Sequence, residues 1–192
     1  MLFCKFRNIW LAALCVAVLS GCMSPQGDTV ASKRAAVGQM RHDTLAKLYQ
    51  LHPEARERIR NAQGYAVFSN VGVNLILLSA GNGWGVVRDN RTRKDVYMKM
   101  VTAGLGIGLG VKDFRGVFVF TRRDTMKDFV EQGWDASGQA DAAAKSGDKG
   151  KAFAGAINVS PGIWLYQITE QGLALQATIQ GTKYWKDDEL NS

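Results

Sequence analysis

The sequence predicts an α+β domain: a pair of N-terminal helices packed on a curved, mainly antiparallel sheet or barrel-like core, with one further short helix. Two observations point there. Apolar residues recur at helical spacing up to about Gly64, then switch to alternating or continuous runs. The turn signals between those runs are short, which suits hairpins and not the helical crossovers of a parallel sheet.

Before the domain comes a segment of different character. Lys5 and Arg7 precede an uncharged run from Ile9 to Leu19, which ends in Ser20-Gly21-Cys22. These are the parts of a secretory signal in order. The run is shorter than the roughly 20 residues that a membrane-spanning helix needs. The ending is similar to the bacterial lipoprotein box, which implies cleavage between Gly21 and Cys22 and acylation of Cys22 with palmitate-type chains. The alternatives are a signal cleaved without acylation and an uncleaved anchor. The expected organisation is a signal peptide over 1–21, a lipidated N-terminus and tether over 22–31, and one domain over 32–192.

The cysteines are Cys4, Cys15 and Cys22. Cleavage before Cys22 leaves that residue alone, so the mature chain is expected to hold neither a disulfide nor a thiolate metal site. Removing Lys5 and Arg7 from 24 basic residues leaves 22 against 17 acidic ones, a mature charge of +5. That favours anionic surfaces such as phospholipid or lipopolysaccharide head groups, while export argues against nucleic acid as a partner. Met23 after the cysteine lacks the Asp that retains lipoproteins in the inner membrane. The expected place is the periplasmic face of the outer membrane.

Ser24 to Ala31 is polar and aperiodic, as a tether would be. From Ser32, read as an N-cap, Val37, Met40, Leu45 and Leu48 recur at helical spacing, with Lys33, Arg34, Arg41 and Lys47 around them. Pro53 opens a shorter second helix, with Glu54 and Glu57 early, Arg58 and Arg60 late, and Gly64 beyond its end. Strands are then expected at Tyr65 to Ser69, Val73 to Ser79, Trp84 to Asp89, Asp95 to Thr102, Leu105 to Val111 and Gly116 to Thr121. Turns at Asn82-Gly83, Asp89-Asn90 and Asp113 to Gly116 would separate them. Asp124 caps a helix from Thr125 to Gln132, and Lys145 to Lys151 is a loop. Further strands fall near Phe153 to Val159, Ile163 to Thr169 and Leu173 to Gln180, and the tail from Lys186 reads as frayed.

The run from Gly104 to Gly110 does not fit a dinucleotide or P-loop fingerprint, because the sixth position and the lysine are missing. At period two it places Gly104, Gly106, Gly108 and Gly110 on one face of a strand. That face allows close approach of another backbone or ring, or else lines a ligand groove. Gly81, Gly83 and Gly85 around Trp84 pose the same choice. His42 and His52 are the only histidines and sit in no metal or triad motif, so neither catalysis, metal nor cofactor is expected. Basic groups cluster at Arg56, Arg58 and Arg60, at Arg88 to Lys94, at Arg122 and Arg123, and at Lys145 to Lys151. Sharing one face, such groups would bind phosphate head groups.

The order of motifs resembles the SYLF domain family over about Leu45 to Trp185. It is carried by Gly64-Tyr65-Ala66-Val67-Phe68, the glycine-rich strands at Gly81 to Gly85 and Gly104 to Gly110, Val117-Phe118-Val119-Phe120 followed by Met126 and Phe129, and Tyr166 to Gly181 with Gly172-Leu173-Ala174. Ser69 stands where the family often has Pro. Eukaryotic members bind lipids and fungal ones associate with actin, so the resemblance implies lipid affinity. The leading expectation is an anchored envelope module that binds lipid without catalysis. The alternative is a structural or protein-interaction module whose partner is unknown.

Overall fold

The computed structural model describes residues 24–135, 155–169, 172–173 and 181–192. Helix α1 spans Val30–Leu51. Its N-cap is Thr29, three residues before the expected Ser32. Thr29 Oγ1 accepts from the Ser32 N–H at 3.1 Å, and Ser32 Oγ accepts from the Thr29 N–H at 3.0 Å. Ser32 therefore supplies the N3 half of a reciprocal capping box, which explains the shift. The helix ends at Leu51, because His52 precedes Pro53 and is pushed out of helical geometry. Helix α2, Ala55–Asn61, buries Ala55 and Ile59.

Two strands of 26 residues each, β1 (Gly64–Asp89) and β2 (Asp95–Phe120), form the body of the sheet. They pair antiparallel from Gly64 with Phe120 through to Arg88 with Asp95. The expected turns at Asn82-Gly83 and Asp113 to Gly116 are thus corrected. Gly83 lies opposite Met100 and Gly116 opposite Phe68, both within the ladder. A turn dipeptide reverses the chain only when its own flanks pair with each other, and here each flank pairs with the other long strand. The turn at Asp89-Asn90 does form, covering 90–92.

On its other edge β2 pairs with β5 (Ile163–Thr169) along Phe114 to Phe120, and with β7 (Thr182–Lys186) along Met98 to Thr102. Strand β4 (Ile157–Ser160) and the short β6 (Gly172–Leu173) flank β5, and β3 (Trp134–Asp135) flanks β7. Helix α3, Arg123–Glu131, follows β2. Its N-cap is Arg122, so the expected cap Asp124 sits two residues further on, within the first turn, where its carboxylate accepts from the Thr125 N–H at 2.7 Å. Helix α4, Asp188–Asn191, closes the chain and corrects the expectations of a frayed tail and of a single further helix. Leu190 is 2% exposed, and Asn191 exchanges hydrogen bonds with the Tyr97 backbone at 2.7 and 3.0 Å.

The sheet is curled. Phe118 and Tyr184 stand on opposite limbs of it, yet their rings are 5.4 Å apart, and Trp134 lies 5.7 Å from Phe118. These aromatics, with Phe68, Phe120, Met98 and Met100, fill the concave side, and α3 closes it with Met126 and Phe129. The curl also brings the two ends of β1 side by side. A Cβ on Gly85 would collide with the Val67 carbonyl oxygen and approach Phe68 Cγ to 2.7 Å, and one on Gly83 would meet Asn70 Cα at 3.0 Å. The Asn90 N–H reaches the Gln63 oxygen at 3.1 Å. Gly83 and Gly85 therefore form a filled seam. Gly104, Gly106, Gly108 and Gly110 do lie in β2, but the one-residue register shift between Ile76 and Leu78 falls within their run. Strict alternation is broken there.

Helix α1 crosses the convex side from Tyr97, beneath Arg34, past Asp95 and Arg115, which reach Arg41 and Thr44, to Tyr166, beside His52. Val37, Met40 and Leu48 are buried against Val67, Val86, Val117 and Val119. At about 1.5–3 kcal/mol per buried side chain, this face outweighs ion pairs such as Lys33 with Glu189, worth about 0–1 kcal/mol. The α+β architecture is as the sequence predicts.

Candidate functional site

The turn between β1 and β2 is built around Asp89. Its Oδ1 accepts from the backbone N–H of Arg91 at 2.9 Å and of Thr92 at 3.1 Å, and its carbonyl accepts from the Arg93 N–H at 2.9 Å. Arg93 closes the turn in the left-handed region, φ 57°, which side-chain-bearing residues adopt at a cost.

Both flanking helices grip this turn. Asn90 Nδ2 donates to the carbonyls of Ile59 at 2.7 Å and Ala62 at 3.0 Å, satisfying the end of α2. Arg123, from the start of α3, donates to Asp89 Oδ2 at 2.7 Å. With Asn90 and Asp89 held, Arg91, Arg93 and Lys94 are exposed. Their side chains carry no ion pair or hydrogen bond among the described residues. Arg60, also exposed and paired with Glu57 at 3.2 Å, lies at the end of α2 that Asn90 caps. One end of the sheet thus gathers cations from a turn and two helix ends on a scaffold that costs no ordering at contact.

The expected basic residues divide between this end and other duties. Arg123 is spent on Asp89 and Arg122 on Asp124. Arg56 stacks on Tyr49 at 4.4 Å and Arg58 on Trp164 at 5.4 Å, so they extend different sides of α2. Arg88 is turned to Asp95 at 2.9 Å, which Arg41 also holds, and this pins α1 to the sheet. The strongest cationic feature is therefore Arg91, Arg93 and Lys94. Their spacing in an Asp-Asn turn is a readable signal, since such a turn must display the residues that follow. Cys22, Gly21 and Lys145 to Lys151 lie outside the described residues, as does most of the expected strand from Leu173 to Gln180. Among the described residues, no three potential metal ligands converge.

Asp89 is held well below the ordinary carboxylate range, first by the Arg123 hydrogen bond and then by the Thr92 and Arg91 backbone, against the opposing effect of burial. A depressed folded value means stability that is complete above the ordinary Asp range, about 4, and is lost as pH falls through the lower folded value. Asp89→Asn is expected to lower Tm at pH 7 and to flatten its decline in acid, measured by thermal melts from pH 7 to 2. An unchanged acid slope would show that the turn does not contribute.

On the concave side Tyr184 is buried, and burial alone pushes its hydroxyl upward, so it stays neutral. Tyr166 is fully buried with its hydroxyl unpartnered, beside His52, whose Nδ1 meets Glu54 Oε1 at 2.9 Å.

No family model matches the chain. Over 162 residues it is 36% identical to a protein named "Beta cell expansion factor A" from Aeromonas veronii, an alignment covering 84% of this chain. The chain spans 60% of the length of that curated relative.

Proposed function

We propose that the protein is an acyl-anchored envelope lipoprotein of the SYLF type, whose folded domain binds anionic head groups through the basic end of its sheet. The observation that carries this reading is the clamped turn with Arg91, Arg93 and Lys94 exposed and unpaired among the described residues. Guanidinium and ammonium groups make their strongest hydrogen bonds to phosphate oxygens. The mature excess of basic residues and the SYLF resemblance support the same ligand class, and Cys22 supplies the address. Phospholipid and lipopolysaccharide phosphates share this chemistry, and nothing in the reading requires a reaction.

Flotation of the Cys22→Ser mature chain, which carries no lipid of its own, with anionic and with neutral vesicles tests it. Each exposed cation near an anionic surface contributes about 1 kcal/mol. The triple variant Arg91→Gln, Arg93→Asn, Lys94→Gln is therefore expected to bind anionic vesicles about 100-fold more weakly at low salt, at about 1.4 kcal/mol per tenfold. Its fold should be intact, since these side chains hold nothing together. Absence of binding by the unsubstituted chain, or equal binding by the triple variant, overturns the assignment.

A further inference from the structure

Three tryptophans of the domain, Trp84, Trp134 and Trp164, pack partly buried against one of the two cores. Trp185 does not: it is 38% exposed, and Val101 beside it is 41% exposed. Both belong to the convex face. Met98, Met100 and Tyr184 fill the concave core, so alternation turns Lys99, Val101, Lys183 and Trp185 the other way. Register places Lys99 opposite Trp185 and Val101 opposite Lys183, which makes a checkerboard of two apolar and two cationic residues. Lys183 is exposed, and Lys99, bonded to Asp187 at 3.3 Å, remains 37% exposed.

The same corner receives the start of α1. Lys33 Nζ meets Glu189 Oε1 at 2.6 Å, and Arg34 donates to the carbonyls of Leu190 at 2.9 Å and Ser192 at 2.8 Å. Arg34 also covers Tyr97, two residues before Lys99. Thr29 therefore begins the helix close to the Trp185 face. Thr29 follows Cys22 by seven positions. Fully extended they span at most about 25 Å, so a bilayer holding acyl chains on Cys22 cannot lie far from this face.

We propose that the convex face centred on Trp185 and Val101 is the surface on which the domain rests against its own anchoring bilayer. It rests on the reading of Cys22 as the acylated residue. The Trp185 indole sits in the head-group layer, its apolar body inward and its N–H toward phosphate or water, as amphipathic rings do at such interfaces. Val101 enters beside it, and the lysine stems lie along the surface with their ammonium groups in the phosphate layer. Tethering makes this contact intramolecular, so a patch too small to recruit a free protein suffices to orient an anchored one.

The test compares the acylated wild-type protein with Trp185→Phe, both in neutral vesicles with and without brominated phospholipid chains. The wild-type protein is expected to lose about twofold more of its emission to bromine than the variant, because Trp185 is the indole at the interface. Phe at this exposed site removes the reporter without emptying a core position. Equal fractional quenching overturns the inference. So does protection of Trp185 that depends on protein concentration, which would mean that a second copy covers the face. Neutral lipid keeps this separate from the anionic head-group reading: flat quenching with a triple turn variant that still loses anionic binding defeats only the orientation. Quenching with no loss in the triple variant defeats only the turn. A chain that carries no acyl mass and does not float defeats the anchor and this inference together.

Discussion

Gly85→Val is expected to cost more than about 4 kcal/mol, the range reached only when backbone or core must rearrange, and so a large part of the stability of a domain holding about 5–15 kcal/mol. The position has no room. Its added Cβ would meet the Val67 carbonyl oxygen, which belongs to the neighbouring limb of the same strand, and the Phe68 ring, which is wedged between Phe118 and Tyr184. Neither yields cheaply: moving the carbonyl disturbs the limb that pairs with Val117, and moving the ring breaks the aromatic centre. Gly116→Ala is the control. There a Cβ would rest at 3.4 Å from Leu165 Cδ1 and 3.6 Å from Phe118 Cε2, ordinary contact, so the change should be neutral or stabilise by up to about 1 kcal/mol through the unfolded chain. Urea unfolding followed by near-ultraviolet circular dichroism reads both. A Gly85→Val midpoint matching the wild type would mean that the ends of β1 are not closed on each other.

The same seam shows how far the sequence is legible. The largely apolar run from Ile163 to Thr169 gives β5 to the residue, and the spacing of Val37, Met40 and Leu48 gives the buried face of α1. Local pattern suffices where an element's signal lies within itself. The 26-residue lengths of β1 and β2 are not local. Asn82-Gly83 looks like a hairpin turn, and only the pairing of both flanks with β2 keeps it extended. The tail fails to read for a related reason: Leu190 is a lone apolar residue among polar ones, and the groups that order it, Tyr97 and Arg34, lie some 90 residues or more away. The basic groups were visible one by one. Which of them were already engaged was not, because Asp89 recruits Arg123 and Asp124 recruits Arg122 only once the turn and α3 are in place. Arg91, Arg93 and Lys94 escape that pairing because the Asp89 carboxylate is taken up by the backbone N–H groups of Arg91 and Thr92 and by Arg123.

On the proposed acyl anchor, Cys22→Ser is expected to move the protein almost entirely from alkali-washed membranes to the soluble fraction, the largest effect of any single substitution on where it would reside. The ledger of membrane contacts is one-sided. A buried methylene contributes about 0.8 kcal/mol, so even one 16-carbon chain offers on the order of 10 kcal/mol, and a bacterial lipoprotein carries two or three. Three exposed cations contribute about 3 kcal/mol together, and salt screens them. Among the described residues no helix is long and apolar enough to cross a bilayer. The two contributions therefore separate cleanly. In the acylated protein the triple turn variant should leave the membrane fraction unchanged, because the chains dominate. In the Cys22→Ser chain the turn should govern what binding survives, only on anionic vesicles and only at low salt. Retention of Cys22→Ser in alkali-washed membranes at the mature mass would contradict acyl anchoring, whereas release together with salt-sensitive rebinding would match a domain that is held by lipid and touches lipid by charge.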